Sequence, residues 1–235
     1  MTRRHRRAIP ALVVLAALAS APATAGVIRG SIRVPASTAP TPTTNAYPGR
    51  ANALPGRTVP ARGVVTDAVV YLARIPAAAE TALVRAPRPR PQLAQQREAF
   101  VPRVVVVTRG DAVDFPNRDP IYHNVFSLSP TRRFDLGKYR QGRSKTVQFD
   151  RAGLVKVYCD IHAEMEAFVL VVPNHAFAQA GADGSFELPD LPPGGYELRA
   201  WHPDLSEIVR TVQIPAHGDA RVDLSFGPGA TAARD

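Results

Sequence analysis

Apolar positions along this chain alternate with polar ones or form short unbroken β-branched runs, and no stretch of useful length keeps a helical period. The pattern predicts strands over 27–34, 64–72, 101–108, 112–115, 124–128, 144–149, 153–159 and 167–172. A second series is expected over 185–188, 195–201, 208–214 and 220–226. Gly, Pro, Asn and Asp punctuate these runs, and only 77–84 reads as a short helix. Short strands at this density, in a chain with 23 prolines, predict an all-β sandwich or barrel.

The first 25 residues break the pattern. Arg3, Arg4, Arg6 and Arg7 precede a 12-residue apolar run from Ala8 to Ala19, and Ala23-Thr24-Ala25 places small residues before Gly26. That is the layout of a secretory signal peptide, which predicts export, with the periplasm as the expected compartment. The alternative is a retained anchor, but the run is too short to span a bilayer and contains Pro10, so no stable membrane insertion is expected. Two stretches read as linkers: 35–60, with six prolines, and the Ala-Pro-Arg-Pro-Arg-Pro spacer at 86–91. The expected organisation is a signal peptide (1–25), an N-terminal β segment (26–88), a central domain (89–173), a C-terminal β segment (174–228) and a disordered tail (229–235).

With 235 residues, 45% of them hydrophobic, the chain can bury one or two cores. The net charge is +9, but the first 25 residues hold four arginines and no acid. The rest of the chain is only mildly basic and does not call for nucleic acid. A single cysteine excludes an intramolecular disulfide, a site with two bridging thiolates and any four-cysteine zinc or iron–sulfur site. Six histidines are too few for a multicopper oxidase.

The chemistry concentrates in Val157-Tyr158-Cys159-Asp160-Ile161-His162-Ala163-Glu164-Met165. A strand ending at Cys159 and turning tightly can aim a thiolate, an imidazole and a thioether at one centre. Tyr122-His123-Asn124 supplies a second imidazole from upstream. Two imidazoles, one thiolate and a weak axial thioether make a blue-copper ligand set. Zinc fits the same atoms less well, because thioether is a poor zinc ligand. A catalytic Cys–His pair is the competing reading, but no nucleophile-elbow or protease signature surrounds Cys159. His175, His202 and His217 are expected in loops or at strand ends, solvated, and Trp201-His202 as core plus solvent.

From about Gln92 to Pro173 the chain resembles the cupredoxins, the small blue copper proteins. The resemblance is carried by Val113-Asp114-Phe115-Pro116-Asn117, His123-Asn124, and Gly153 through the Cys-His-Met loop. The Cys-x2-His-x2-Met spacing is the short loop of the amicyanin type. Phe100 to Val107, His123 to Ser127, Phe134-Asp135-Leu136-Gly137 and Cys159 to His162 look like periplasmic cupredoxin-like proteins labelled "methylamine utilization protein". The resemblance implies a Greek-key β-sandwich over 89–173 that holds one copper ion through His123, Cys159, His162 and Met165. It also implies that the backbone amide of Asn124 bonds the Cys159 sulfur while its side chain braces the ligand loop, and that His162 reaches the surface where electrons pass.

The flanks resemble a small transthyretin-like sandwich of the carboxypeptidase regulatory type. The signals are Ala182-Asp183-Gly184-Ser185-Phe186-Glu187-Leu188, the turn Leu191-Pro192-Pro193-Gly194-Gly195-Tyr196, and 26–34 with 65–72 as a first half. Neither flank holds enough strands alone, so the two ends are expected to pair with the central domain inserted between them. The alternative adds 27–72 to the central domain. Arg132, Arg133, Lys138, Arg140, Arg143 and Lys145 cluster against Asp135 alone, either as a solvated hairpin or as a patch steering an acidic partner.

The expected function is single-electron transfer without bond-making chemistry, as a monomer, between redox proteins such as a c-type cytochrome or a dehydrogenase. A copper carrier, chaperone or sensor with the same ligands is the alternative. A carrier surface is usually richer in methionine, and this chain has two, one of them Met1. A metal-free interaction module is a third reading, against which the intact ligand set argues.

Overall fold

A computed structural model describes residues 25–34, 65–85 and 88–227. The expected signal peptide up to residue 24, the expected linker at 35–60 and the expected tail at 229–235 lie outside the described residues. The described chain is almost wholly β. It contains β1 (Ile28–Arg33), β2 (Val69–Leu72), one helix α1 (Ala77–Val84), β3 (Ala94–Gln95), β4 (Phe100–Val101), β5 (Val104–Thr108), β6 (Ala112–Pro116), β7 (Phe126–Ser127) and β8 (Phe134–Asp135). There follow β9 (Ser144–Gln148), β10 (Gly153–Tyr158), β11 (Glu166–Val172), β12 (Phe177–Gln179), β13 (Ser185–Glu187), β14 (Gly194–His202), β15 (Leu205–Ile214) and β16 (Ala220–Ser225). Among the described residues no helix is long and apolar enough to cross a membrane.

The all-β expectation holds, and α1 falls where the short helix was expected. Two expected strands divide. In 64–72, residues Val65–Asp67 make a 3-10 turn that buries Asp67 before β2 begins. In 101–108, the pairing breaks between β4 and β5, where Arg103 turns its guanidinium toward Asp67 and Asp204. The short strands β3, β8 and β12 carry too few residues to show a period and were not expected.

In the middle of the chain, β5-β11-β10-β7-β8 form one sheet, with β5 parallel to β11 and β10 antiparallel to it. The pairs β6–β9 and β3–β4 complete the unit. Val105, Val107, Val113, Phe115, Val147, Phe149, Val155, Val157, Val169 and Val171 meet in its core. Strand pleating sends the alternate residues of β11 to the opposite face. There Phe168, Leu170 and Val172 bury with Val104 against Val69, and Tyr71, Phe177 and Trp201 pack on the same cluster. Both faces of β11 are therefore dry, which is why its sequence reads as an unbroken apolar run.

Strands from the two ends of the chain share sheets. β1 lies between β13 and β16, antiparallel to the first and parallel to the second. β2 lies between β12 and β14, with β15 at the far edge. Ile28, Ile32, Val70, Leu72, Phe186, Leu198, Val212, Ile214 and Leu224 close a second core between these sheets. The Asp183-Gly184 turn leading into β13 forms as its sequence signals, with Gly184 at φ 81° and Ser185 N–H donating to Asp183 Oδ1 at 2.9 Å.

Candidate metal centre

β10 ends at Tyr158 and β11 begins at Glu166, so Cys159, His162 and Met165 all lie on the tight connection between two paired strands. Met165 N–H donates to the His162 carbonyl at 3.0 Å, which curls the connection inward. His123 comes from the segment before β7. It is held by a two-way backbone pair with Tyr139, His123 N–H to Tyr139 O at 3.3 Å and the reverse at 3.0 Å. Asn117 organises the approach. Its Nδ2 donates to Ile121 O and Tyr139 O at 2.8 and 2.9 Å, and its Oδ1 accepts Asp119 N–H at 2.9 Å.

This scaffold brings His123, Cys159 and His162 together. Cys159 Sγ stands 3.9 Å from Nδ1 of each imidazole, and the two Nδ1 atoms are 3.1 Å apart. A triangle with these sides has its centre about 2.1 Å from every corner, within the bond lengths that imidazole and thiolate make to a first-row metal. Among the described residues this is the one cluster of His, Cys, Asp or Glu with metal-binding proximity. Met165 is fully buried in the same apolar cluster as Cys159, at the end of the loop.

The electrostatics suit a cation. His123 Nε2 meets Asp119 Oδ2 at 2.8 Å, so the ring keeps its proton on Nε2 and leaves the Nδ1 lone pair facing the sulfur. Burial pushes the Cys159 thiol up, but the His123 ring and the backbone N–H groups of Asn124, Ile161 and His162 outweigh it and bring it down to about 6. Burial lowers His123, yet Cys159 and Asp119 together raise it. Burial likewise pushes Asp119 up, but the N–H groups of Glu98 and Arg97 and the His123 ring hold it below the usual carboxylate range. A thiol held low beside an imidazole lone pair is a donor pair that a soft metal can take up with release of the thiol proton.

The backbone N–H of Asn124 is among the groups that hold the Cys159 thiol low. Its side chain does something else: Nδ2 donates to Asp135 Oδ1 at 2.8 Å and so braces β8, while Oδ1 is buried without a partner among the described residues. Two of the other histidines also depart from expectation. His202 is buried, its Nδ1 accepting Asp204 N–H at 3.1 Å, and His175 is bonded through both ring nitrogens, to Glu80 at 2.6 Å and Thr108 at 3.1 Å. Strand β14 runs longer than its apolar run and carries His202 inside, while the helix α1 brings Glu80 to His175. His217 is exposed as expected. In the basic stretch, Lys138 lies 3.8 Å from Asp160 of the ligand loop, and Arg140 and Arg143 are exposed.

No protein-family model matches this chain, and no curated protein does. Solved structures share local similarity with it. A Cu-containing nitrite reductase from Thermus scotoductus SA-01 is 22% identical over 37% of this chain, with a TM-score of 0.34. The match spans only 23% of the reductase. The reduced Cu(I) form of an amicyanin point mutant is 18% identical over 38% of this chain and 88% of its own length, TM-score 0.34. An oxidized form of another amicyanin mutant matches at 17% identity over the same shares, TM-score 0.34.

Sequence reasoning missed Asp119 and Glu98. Glu98 Oε2 lies 3.9 Å from His162 Nε2. The usable signal for Asp119 was Asn117-x-Asp119 four residues before His123, an Asx turn that delivers a carboxylate to a histidine.

Proposed function

We propose that this chain is an exported type 1 (blue) copper protein that passes single electrons between redox proteins in the periplasm. One copper ion would be held by His123, Cys159 and His162, with Met165 as a weak axial ligand. The observation that carries the reading is the Sγ–Nδ1–Nδ1 triangle, whose sides suit a trigonal His2Cys centre. The donor chemistry agrees, since a single thiolate and two neutral imidazoles serve both copper oxidation states. Bound copper supplies a one-electron couple.

The protein's own contribution is to hold the donors still. His123 is fixed by Asp119 and by its backbone pairing with Tyr139, and Cys159 by three amides. A rigid donor set keeps the rearrangement between oxidation states small. In this reading 89–173 is the copper domain, set within a sandwich built by 26–88 and 174–228, and the partner is a c-type cytochrome or a dehydrogenase. His123, Cys159 and Met165 are buried while the His162 side chain keeps 21% exposure, which makes its ring edge the route for electrons.

The test is the visible absorption and EPR spectrum of residues 26–235 loaded with one equivalent of Cu(II), beside Cys159→Ser. An intense thiolate-to-copper band with narrow parallel hyperfine splitting, lost in the variant, is the expected result. A pale tetragonal signal would count against electron transfer and for copper carriage.

A further inference from the structure

A tight turn beside the metal centre is built from residues that do not favour its shape. Gln96 and Ala99 close a two-residue hairpin between β3 and β4, Gln96 N–H to Ala99 O at 2.8 Å and Ala99 N–H to Gln96 O at 3.2 Å. Its corner residues, Arg97 and Glu98, both have φ of 55°. That left-handed region is costly for an L side chain, and such corners ordinarily carry Asn-Gly. Asp119 holds the strained pair in place, accepting Arg97 N–H at Oδ1 (2.5 Å) and Glu98 N–H at Oδ2 (2.8 Å). The same Oδ2 receives His123 Nε2.

Glycine at position 98 would relieve the backbone. What glycine would lose is the carboxylate, which is half-buried and stands 3.9 Å from His162 Nε2. That separation is an ion-pair distance rather than a hydrogen bond. The carboxylate faces the outer nitrogen of the His162 ring, whose inner nitrogen, Nδ1, stands toward Cys159. One hairpin turn thus reaches the outer nitrogen of both imidazoles, directly at His162 and through Asp119 at His123. Strain that persists beside a site is a pointer to a role there.

We propose that the Arg97–Glu98 turn is a positioning element for the metal centre, with Asp119 setting the ring of His123 and Glu98 setting the ring of His162. The inference rests on the copper reading of this site.

The experiment compares the unsubstituted chain with Glu98→Gly and Glu98→Gln. It measures thermal unfolding without metal, Cu(I) affinity by competition with bicinchoninate, and the EPR hyperfine splitting of the Cu(II) form. Glu98→Gly is expected to unfold at the same or a higher temperature, to bind Cu(I) about tenfold or more weakly, and to change the hyperfine splitting. Glu98→Gln keeps the size of the side chain but removes its charge, and because the contact is an ion pair it is expected to restore little of the affinity. Unchanged affinity and splitting in Glu98→Gly would overturn the positioning role and leave the copper reading intact. So would failure of Glu98→Gly to fold, because a residue kept for the metal centre rather than for the turn must tolerate glycine. If the unsubstituted chain itself binds no copper, both readings fall together.

Discussion

Arg103 and Asp204, 101 residues apart, meet through two parallel hydrogen bonds of 2.8 and 2.9 Å. Arg103 also reaches Asp67 at 3.1 Å and lies over the Phe168 ring, so one guanidinium at the start of β5 joins the 3-10 turn before β2, strand β11 and the β14–β15 turn. Its side chain is largely buried, and its Nε has no partner among the described residues. Removing this cation leaves two poorly solvated carboxylates facing each other. Arg103→Met is therefore expected to destabilise the protein by about 3 kcal/mol, as read from urea unfolding. A loss under about 1 kcal/mol would show the cluster to be solvated.

Asp67 has the opposite sign. Burial pushes its carboxyl above the usual value in spite of Arg103. A folded-state pKa above the unfolded one gives stability that is whole below the unfolded pKa and lost as pH rises through the folded one. At neutral pH the Asp67 charge thus works against folding. Asp67→Asn keeps an acceptor for Arg103 and should leave stability at neutral pH unchanged or higher, with the gain gone in acid. A clear loss at neutral pH would refute this.

Tyr139 sets the alkaline limit. Burial is the main cause that lifts its phenol to about 12, and the Cys159 charge adds to it. Burial raises Tyr71 and Tyr158 as well. The linkage has the same form: the contribution is whole below pH ~10 and is lost as pH rises toward the folded value. Tyrosinate absorbance should lag behind that of free tyrosine, and urea midpoints should fall steeply between about pH 10 and about pH 12. Tyr139→Phe should flatten part of that fall.

Two glycines separate packing from backbone strain. A Cβ on Gly30 would stand 1.7 Å from the Val222 carbonyl oxygen across the parallel β1–β16 pair, and backbone cannot yield there. Gly30→Ala is expected to cost about 2–3 kcal/mol or to undo the pairing. Gly110 has φ of 92° but nothing within 4 Å of its Cβ position, so Gly110→Ala should cost only about 1 kcal/mol. Equal losses in thermal unfolding would contradict this.

A fragment of residues 89–173 would uncover the outer face of β5 and β11. Val104, Phe168, Leu170 and Val172 lie there under residues of the flanking strands. An apolar patch of that kind drives association. The fragment should elute as an oligomer in size-exclusion chromatography, and Phe168→Thr with Leu170→Thr should return it to a monomer. A monomeric unsubstituted fragment would mean the face closes on itself.

The sequence alone determined the all-β class and most strand positions, and it pointed to His123, Cys159 and His162 as one candidate group. These are legible because they are local: alternation reports a pleated strand, and the Cys-x2-His-x2-Met spacing sits on one connection. Even His123 announces itself by its place before an expected strand. What only the tertiary structure decided depends on distance along the chain. Arg103 and Asp204 look like ordinary surface charges until two sheets are stacked. The left-handed turn at Arg97 and Glu98 carries no glycine or asparagine to betray it, because its geometry is imposed by Asp119, more than twenty residues on. His202 reads as a strand-end histidine because apolar periodicity says nothing about which polar residue a core will find a partner for. Local physics writes the elements into the sequence, whereas long-range charge pairing chooses among their arrangements and leaves no periodic trace.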